Sequence, residues 1–163
     1  MEAEKIKDEQ IYEWLQEVTD PEIPVISLVD LGVITGLEWD DDKLIVHMTP
    51  TFVGCPAIDY MKNDVLDVLH AQGIENVEVN LSYETSWNSN MITDRGREAL
   101  RKFGLAPPPK HNLIVDIDIL EHAECPVCGS ENTILKNPFG PTACRSIHYC
   151  QDCKETFEQF KPV

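Results

Sequence analysis

Two C-x-x-C pairs near the C-terminus most constrain what this chain can fold into. Cys125 and Cys128 form the first pair, Cys150 and Cys153 form the second, and 21 residues separate the pairs. A C-x-x-C turn places two thiolates on one side of a tight loop, and two such turns that face each other complete a tetrahedral cage of sulfur atoms. The spacing is one residue outside the range usual for paired zinc knuckles. The pattern therefore predicts a metal site, with reduced or redox-active thiols as the alternative.

The length of the cysteine-rich region supports a metal, but two other residues leave the ligand set open. Residues 112–163 hold five of the six cysteines, and a segment this short buries too little apolar surface to fold readily without a metal. Cys144 is either a small buried residue or a further ligand. In the second case, either Cys144 replaces one of the knuckle cysteines, or the site is an iron–sulfur cluster, which also takes four thiolates, instead of structural zinc. His148 is another possible ligand, although a lone histidine beside a knuckle is more typical of a supporting position.

Apolar periodicity in the first part of the chain predicts an α+β fold. Helical spacing of apolar residues predicts helices over 8–18, from Cys55-Pro56 to Gly73, and over about 93–103 between Thr93 and Gly104. Alternation predicts a hairpin of strands 33–39 and 44–49 around the acidic turn 40–42, and a third strand over 76–83. The fold class is therefore α+β, a small α-β-β-α-β domain followed by a four-cysteine module that resembles a zinc ribbon.

A proline-rich segment separates these two parts. Three prolines in a row at residues 107–109 favour a stiff, extended linker. The predicted organisation is an α+β domain over 1–105, a linker over 106–111 and a cysteine-rich metal-binding module over 112–163. Residues 113–120 alternate apolar and acidic side chains and are predicted to form a strand that leads into the module.

The sixth cysteine, Cys55, follows a strand and a short loop and opens a predicted helix. Amide N–H groups and the helix dipole at that position favour a thiolate, and the hydroxyl groups of Thr49 and Thr51 could donate to its sulfur. The alternative is a buried cysteine that packs the turn between strand and helix. Asp20 and Glu22 lie on a proline-punctuated turn, either as an acid pair or metal ligands, or as residues that end the helix and cap the loop.

Charge and motifs exclude several classes of function. The net charge is −16, from 29 acidic and 13 basic residues, which argues against nucleic-acid binding and against docking on anionic lipid. The chain has no apolar run of the roughly 20 residues that span a bilayer and no apolar segment after its charged first residues, so we expect a cytoplasmic protein. It has no P-loop, dinucleotide-binding or zinc-hydrolase motif.

Trp87, in a polar loop, is either an anchor for a partner or a lid over the core.

Two groups of motifs resemble known families and together cover nearly the whole chain. Residues 20–32 (DPEIPVISLVDLG) and 48–56 (MTPTFVGCP) resemble the iron–sulfur assembly domain shared by bacterial SufT-like proteins and eukaryotic cytosolic cluster-targeting factors. Residues 125–130 (CPVCGS), 139–144 (FGPTAC), the second cysteine pair and the ending at 157–161 (FEQFK) resemble the PaaD (or PaaJ) family of phenylacetate-degradation proteins.

This resemblance implies an accessory role without catalytic activity of its own. The family is thought to help mature the multicomponent phenylacetyl-CoA epoxidase, whose oxygenase and reductase subunits contain iron, flavin or an iron–sulfur centre. By position, Cys55 matches the reactive cysteine of the family, with Asp20, Glu22, Thr49 and Thr51 around it, and Cys144 lies inside a family motif. A single thiolate cannot enclose a cluster, so a homodimer or ligands from the client would have to complete the site. The alternatives are a structural subunit of the epoxidase and a small iron–sulfur or redox protein.

Overall fold

The computed structural model of the chain describes residues 6–51, 57–84, 87–109, 121–141 and 145–161. The chain divides into two compact units, residues 1–87 and 88–163. In the described ranges the first unit contains α1 (Asp8–Leu15), β1 (Ile34–Asp40), β2 (Lys43–Met48), α2 (Ile58–Ala71) and β3 (Val77–Leu81). The second contains a 3₁₀ turn (Ser89–Met91), α3 (Asp94–Phe103), β4 (Leu105–Ala106), β5 (Thr133–Asn137), β6 (Arg145–Cys150) and β7 (Thr156–Phe160). None of the helices in these ranges is both long and apolar enough to cross a lipid bilayer.

The first unit is built on a three-stranded sheet in the order β1-β2-β3. β1 and β2 are antiparallel, and Asp40 pairs with Lys43 across a two-residue turn. Asp41 in that turn has φ 55, a left-handed conformation that aspartate tolerates better than most residues. β3 runs parallel to β2, so α2 is the crossover that parallel strands require. The hairpin predicted around the acidic turn is confirmed.

Both helices of the first unit end where the backbone conformation changes. α1 ends at Leu15 and not at the predicted residue 18, because the N–H groups of Glu17 and Val18 donate, both at 3.1 Å, to carbonyls three residues back in the chain instead of four. α2 ends at Ala71, two residues before Gly73, whose φ of 91 favours glycine. Its predicted start at Cys55-Pro56 lies outside the described residues. The buried sides of the two helices carry Ile11 and Leu15 on α1 and Met61, Val65 and Leu69 on α2.

The second unit begins with a helix that the sequence analysis placed in the first domain. The hydroxyl oxygen of Thr93 accepts a hydrogen bond at 3.0 Å from the N–H of Gly96, and Gly104 ends α3 with φ 89, as the sequence predicts. β4 follows at once and pairs in parallel with β7, in a sheet of order β4-β7-β6-β5. This pairing explains why α3 clusters with the cysteine-rich part of the chain. The boundaries at 105, 106–111 and 112 stay a prediction, and the predicted strand 113–120 lies outside the described residues.

The two C-x-x-C turns of the second unit have matching backbones. In the first turn the N–H of Cys125 donates to the carbonyl of Ser130 and the N–H of Gly129 to the carbonyl of Cys125, both at 2.9 Å. In the second turn the N–H of Cys150 donates to the backbone carbonyl of Glu155 at 2.9 Å, and the N–H of Lys154 donates to the backbone carbonyl of Cys150 at 3.0 Å. Equivalent residues after the last cysteine have positive φ, 76 at Gly129 and 66 at Lys154. The α+β class with a C-terminal four-cysteine module is therefore confirmed, down to paired turns of equal geometry.

We expect Gly129→Ala to lower the free energy of unfolding of the protein by about 1 kcal/mol, because a side chain is disfavoured at positive φ. Steric overlap should add little, since the nearest atom to an added Cβ is the Oε1 of Glu124 at 3.9 Å. Lys154→Gly is the matched change in the other turn and should be neutral or stabilising by up to about 0.5 kcal/mol. Urea unfolding curves measure both. Equal destabilisation by the two variants would show that positive φ is not what distinguishes these positions.

Candidate functional site

The four cysteines predicted to bind metal come together in the second unit. Their Sγ atoms all lie within 4.8 Å of one another, with 3.7 Å between Cys125 and Cys153 and 3.6 Å between Cys128 and Cys150. A tetrahedral Zn²⁺ with Zn–S bonds of about 2.3 Å requires sulfur atoms about 3.8 Å apart. The cage therefore has the size that one tetrahedral ion of this radius needs.

The electrostatics of the cage also call for a cation. Backbone N–H groups of Cys153 and, more weakly, Asp152 donate to the Sγ of Cys150 and lower the pKa of its thiol to about 7. At Cys153, the N–H of Glu155 acts in the same direction, but burial and the three neighbouring thiols raise the pKa to about 12. Four thiolates at these separations would repel one another or take up protons, and a bound cation stabilises all four in the charged form.

Three polar residues hold the two turns together, and the sequence analysis did not single them out. Asp152 accepts hydrogen bonds from the hydroxyl of Ser130 and, at 3.1 Å, from the side-chain amide of Asn132. The N–H of Asn132 donates to the Oγ of Ser130 at 3.0 Å, and its carbonyl accepts from the N–H of Gln151 at 2.9 Å. We call these three residues the Asp152 bracket. The only signal in the sequence is a carboxylate between the cysteines of a pair, which is too common to have pointed to this role.

The cage is unevenly covered by protein. Cys125 and Cys150 are buried, Cys153 is partly buried and Cys128 is exposed. A small apolar cluster of Ala106, Ala123 and Phe157 packs against the buried cysteines. Cys144, the possible additional ligand, lies outside the described residues. The metal site is therefore closed on the side of the sheet and open at Cys128.

His148 lies on the same strand as Cys150 but outside the four-sulfur cluster. Its ring stacks on Phe157 with centroids 5.5 Å apart, and its Nε2 lies 2.9 Å from the Oγ of Ser146. Burial lowers the pKa of His148 to about 4. A neutral histidine packed in this way supports the sheet behind the cage, which matches the supporting position weighed from the sequence.

In the first unit, Asp20 caps the turn on which it lies. Its Oδ1 accepts hydrogen bonds from the N–H groups of Glu22 at 2.8 Å and Ile23 at 3.0 Å. The N–H of Asp20 donates to the carbonyl of Ile26 at 3.1 Å, and the side chain of Glu22 is exposed. These contacts fit the loop-capping role that the sequence left open beside an acid pair.

Thr49 and Thr51 follow the end of β2. Thr49 is 2% exposed, and its N–H donates to the carbonyl of Val33 at 2.8 Å. The N–H of Val33 donates in turn to Leu28 at 3.0 Å, and that of Leu28 to Val18 at 2.9 Å. This series of bonds links the end of β2 to the segment just before Asp20. Thr51 is partly exposed, and Cys55 lies outside the described residues.

Trp87 is buried in the first unit and contacts the motif at residues 20–32. Its indole Nε1–H donates to the carbonyl of Leu31 at 2.9 Å, and the side chain is 5% exposed. Of the two interpretations from the sequence, the structure supports a lid over the core. An indole that is buried and hydrogen-bonded in this way is not available as an anchor for a partner.

Comparison with known proteins gives a separate assignment for each part of the chain. Residues 8–81 match the family model of the iron–sulfur cluster assembly protein, and residues 117–161 match that of the PaaD zinc β ribbon domain. The first match includes Asp20, Glu22, Thr49, Thr51 and Cys55. The second includes all four cysteines of the cage together with Cys144.

Relatives and solved structures agree with this division. An Escherichia coli protein that is provisionally named as a subunit of 1,2-phenylacetyl-CoA epoxidase is 32% identical over 94% of this chain and 92% of its own length. An Fe-S protein maturation auxiliary factor of Porphyromonas gingivalis is 36% identical over 60% of this chain and 90% of its own length. The crystal structure of the domain of unknown function DUF59 from Bacillus anthracis has a TM-score of 0.53 and 27% identity, covering 57% of this chain and 90% of that one.

The similarity to the E. coli protein extends over both parts of the chain, whereas the other two proteins match little more than half of it. The four-sulfur cage lies in the part that matches the zinc ribbon model. The chain therefore belongs to the PaaD family of phenylacetyl-CoA epoxidase subunits, with an iron–sulfur cluster assembly region followed by a zinc β ribbon.

Proposed function

We propose that this protein is an accessory factor that helps to mature the multicomponent phenylacetyl-CoA epoxidase, by assisting the loading of iron or an iron–sulfur cluster into its oxygenase or reductase subunit. The protein has no catalytic activity of its own in this proposal. The observation that carries it is the similarity over 94% of the chain to a relative named as a subunit of that epoxidase. A relative that covers 60% of the chain is named as an Fe-S protein maturation factor, which supports the maturation step.

Within this function, Cys55 is the residue that transiently holds the metal. Its place in the chain supports this role, since it follows the end of β2 by seven residues and precedes α2 by three. Asp20, Glu22, Thr49 and Thr51 are the proposed supporting residues, and the bonds from Thr49 through Val33 and Leu28 to Val18 hold their two segments together. One thiolate is too few for a cluster, so the remaining ligands come from the client or from a second copy of the chain.

The four-cysteine cage holds one structural zinc ion in this proposal. The upper limit of 4.8 Å on all the sulfur separations favours a single ion, because a cluster places thiolates on different irons and those sulfurs are then further apart. When bound, the zinc would supply a fixed positive charge that joins the two turns. Cys125, Cys128, Cys150 and Cys153 would hold it, and Cys144 is not required.

The name of the E. coli relative also favours a second function, that of a structural subunit with no part in metal transfer. The two functions differ in stoichiometry. A structural subunit copurifies with the mature epoxidase at one copy per complex and is insensitive to the loss of Cys55. A maturation factor leaves the complex once its client is loaded.

We expect the anaerobically purified protein to contain about one zinc and no iron per chain by elemental analysis, since the cage fits one ion.

Asp152→Ala should weaken zinc binding roughly tenfold in a chelator competition, because the Asp152 bracket no longer aligns the turns before the metal binds. Glu131→Ala is the matched control, since it removes one exposed carboxylate from the same region outside the bracket. Several irons per chain, or equal losses in both variants, would contradict the zinc assignment or the role of the bracket.

We expect Cys55→Ser to fold and to keep its zinc, but to leave the client subunits with the iron content that they have in the absence of this protein. The physical reason is that a serine hydroxyl is a poor ligand for iron, which prefers thiolate. Iron per client chain, measured after coexpression, gives the readout. Cys144→Ser is the control and should support normal loading. Full loading by Cys55→Ser would exclude the proposed role of Cys55 and favour the structural subunit.

A further inference from the structure

An open groove lies in the second unit between the end of α3 and the first C-x-x-C turn, with a volume of about 270 Å³. Its floor is formed by Leu105 and Phe157, which are 2% and 5% exposed. Its rim carries Phe103 and Val127, which are 45% and 67% exposed. Large apolar side chains left in water beside an apolar floor are typical of surfaces that bind another protein.

The size of the groove limits what it can bind. Its volume is at the lower end of the roughly 300–1,000 Å³ of pockets that enclose small-molecule ligands, and it is an open groove that would not enclose one. One or two apolar side chains of another polypeptide match it better. Gly104 also lines the groove.

The charges beside the groove differ from those of the rest of the protein. Residues 1–87 contain 4 basic and 19 acidic side chains, whereas residues 88–163 contain 9 basic and 10 acidic ones. The last turn of α3 carries Arg101 and Lys102, both exposed, directly before Phe103. The contact of Arg101 with Glu124 is long, at 3.9 Å. The end of α3, which leads into the groove at Phe103, is therefore basic on a strongly acidic protein.

Inside the groove the charges are already paired. Arg145, at the start of β6, and Glu158, in the middle of β7, form an ion pair at 2.9 Å. A partner therefore meets a neutral, mostly apolar interior and a positive rim at Arg101 and Lys102. An apolar anchor with carboxylates next to it is complementary to both.

We propose that this groove docks a segment of the client polypeptide that presents an apolar anchor side chain flanked by carboxylates. The anchor lies between Phe103 and Val127, and its flanking carboxylates face Lys102 and Arg101. This inference rests on the proposed function, since it assigns the surface through which the maturation factor holds its client. It also places the client beside the exposed Cys128 side of the metal cage.

The client fits the groove better than a second copy of this chain does. Two copies, each with a net charge of −16, repel each other. If the acidic part of one copy bound in the groove of the next copy, the contact would also be head-to-tail. Copies joined in this way form a closed assembly only when they complete a ring. Neither objection applies to a client that carries a locally acidic segment.

Binding of the zinc-loaded full-length protein to the purified oxygenase and reductase subunits of the epoxidase tests this surface. We expect Val127→Glu and Phe103→Ser each to weaken binding to one subunit about tenfold, and Lys102→Glu to weaken it about threefold with a smaller dependence on salt. Ile134→Glu and Lys136→Glu are the matched controls, because they make the same changes on the exposed strand β5, outside the groove. Zinc per chain is measured for every variant, and Phe103→Ser covers the case in which Val127→Glu disturbs the metal.

Three outcomes would overturn the docking proposal. The first is binding by the groove variants as tight as that of the unchanged protein. The second is a dimer of this chain that Val127→Glu separates, which would make a second copy the occupant. The third is the absence of binding to either subunit by a protein that still loads them with iron, which removes the docking site and leaves the proposed function intact. A protein that neither binds nor loads the subunits would contradict both.

Discussion

The mutual repulsion of four thiolates is the constraint on which the C-terminal unit depends. The sulfur atoms lie within 4.8 Å of one another, a spacing at which all four stay ionised only around a cation. The surrounding features all serve this arrangement. Matching backbone turns aim the cysteines inward, the Asp152 bracket ties the turns to each other, and β6 and β7 carry the buried side of the cage. Without the cation, the small apolar cluster behind the cage has little to organise it.

The first unit depends on a different kind of interaction, which is ordinary apolar burial combined with a short series of backbone hydrogen bonds. Leu15, Val65, Leu69 and Val46 are fully buried between the helices and the sheet. On this support, bonds from Thr49 to Val33 and onward to Val18 fix the loop that carries Asp20 relative to the end of β2. The two units therefore differ in what stabilises them. One is built around an apolar core, and the other is a ribbon built around a four-cysteine site that could hold a metal ion.

Local chemistry made much of the fold predictable from the sequence. Thr93, Gly104 and Gly73 mark helix ends because their side chains, or the lack of one, act within a single turn of backbone. The spacing of the cysteine pairs predicted the cage for the same reason. Long-range pairing was not predictable in this way. The membership of α3 in the second unit follows from the pairing of Leu105 with Glu158, residues far apart in sequence, and two residues of β4 carry no periodic signal. The bracket of Ser130, Asn132 and Asp152 likewise combines common polar residues whose meeting only the fold determines.

The uneven covering of the metal cage has a kinetic consequence. Three of its corners are at least partly shielded by protein, and Cys128 faces solvent. Small thiols and chelators would therefore reach the sulfur of Cys128 more readily than the other three, and the bond to Cys128 would be the first to exchange. A ribbon of this kind would hold its ion firmly at equilibrium and still exchange it at a rate set by a single ligand. A partner that covered this corner would slow that exchange, so that the residence time of the metal would report whether the protein is bound or alone.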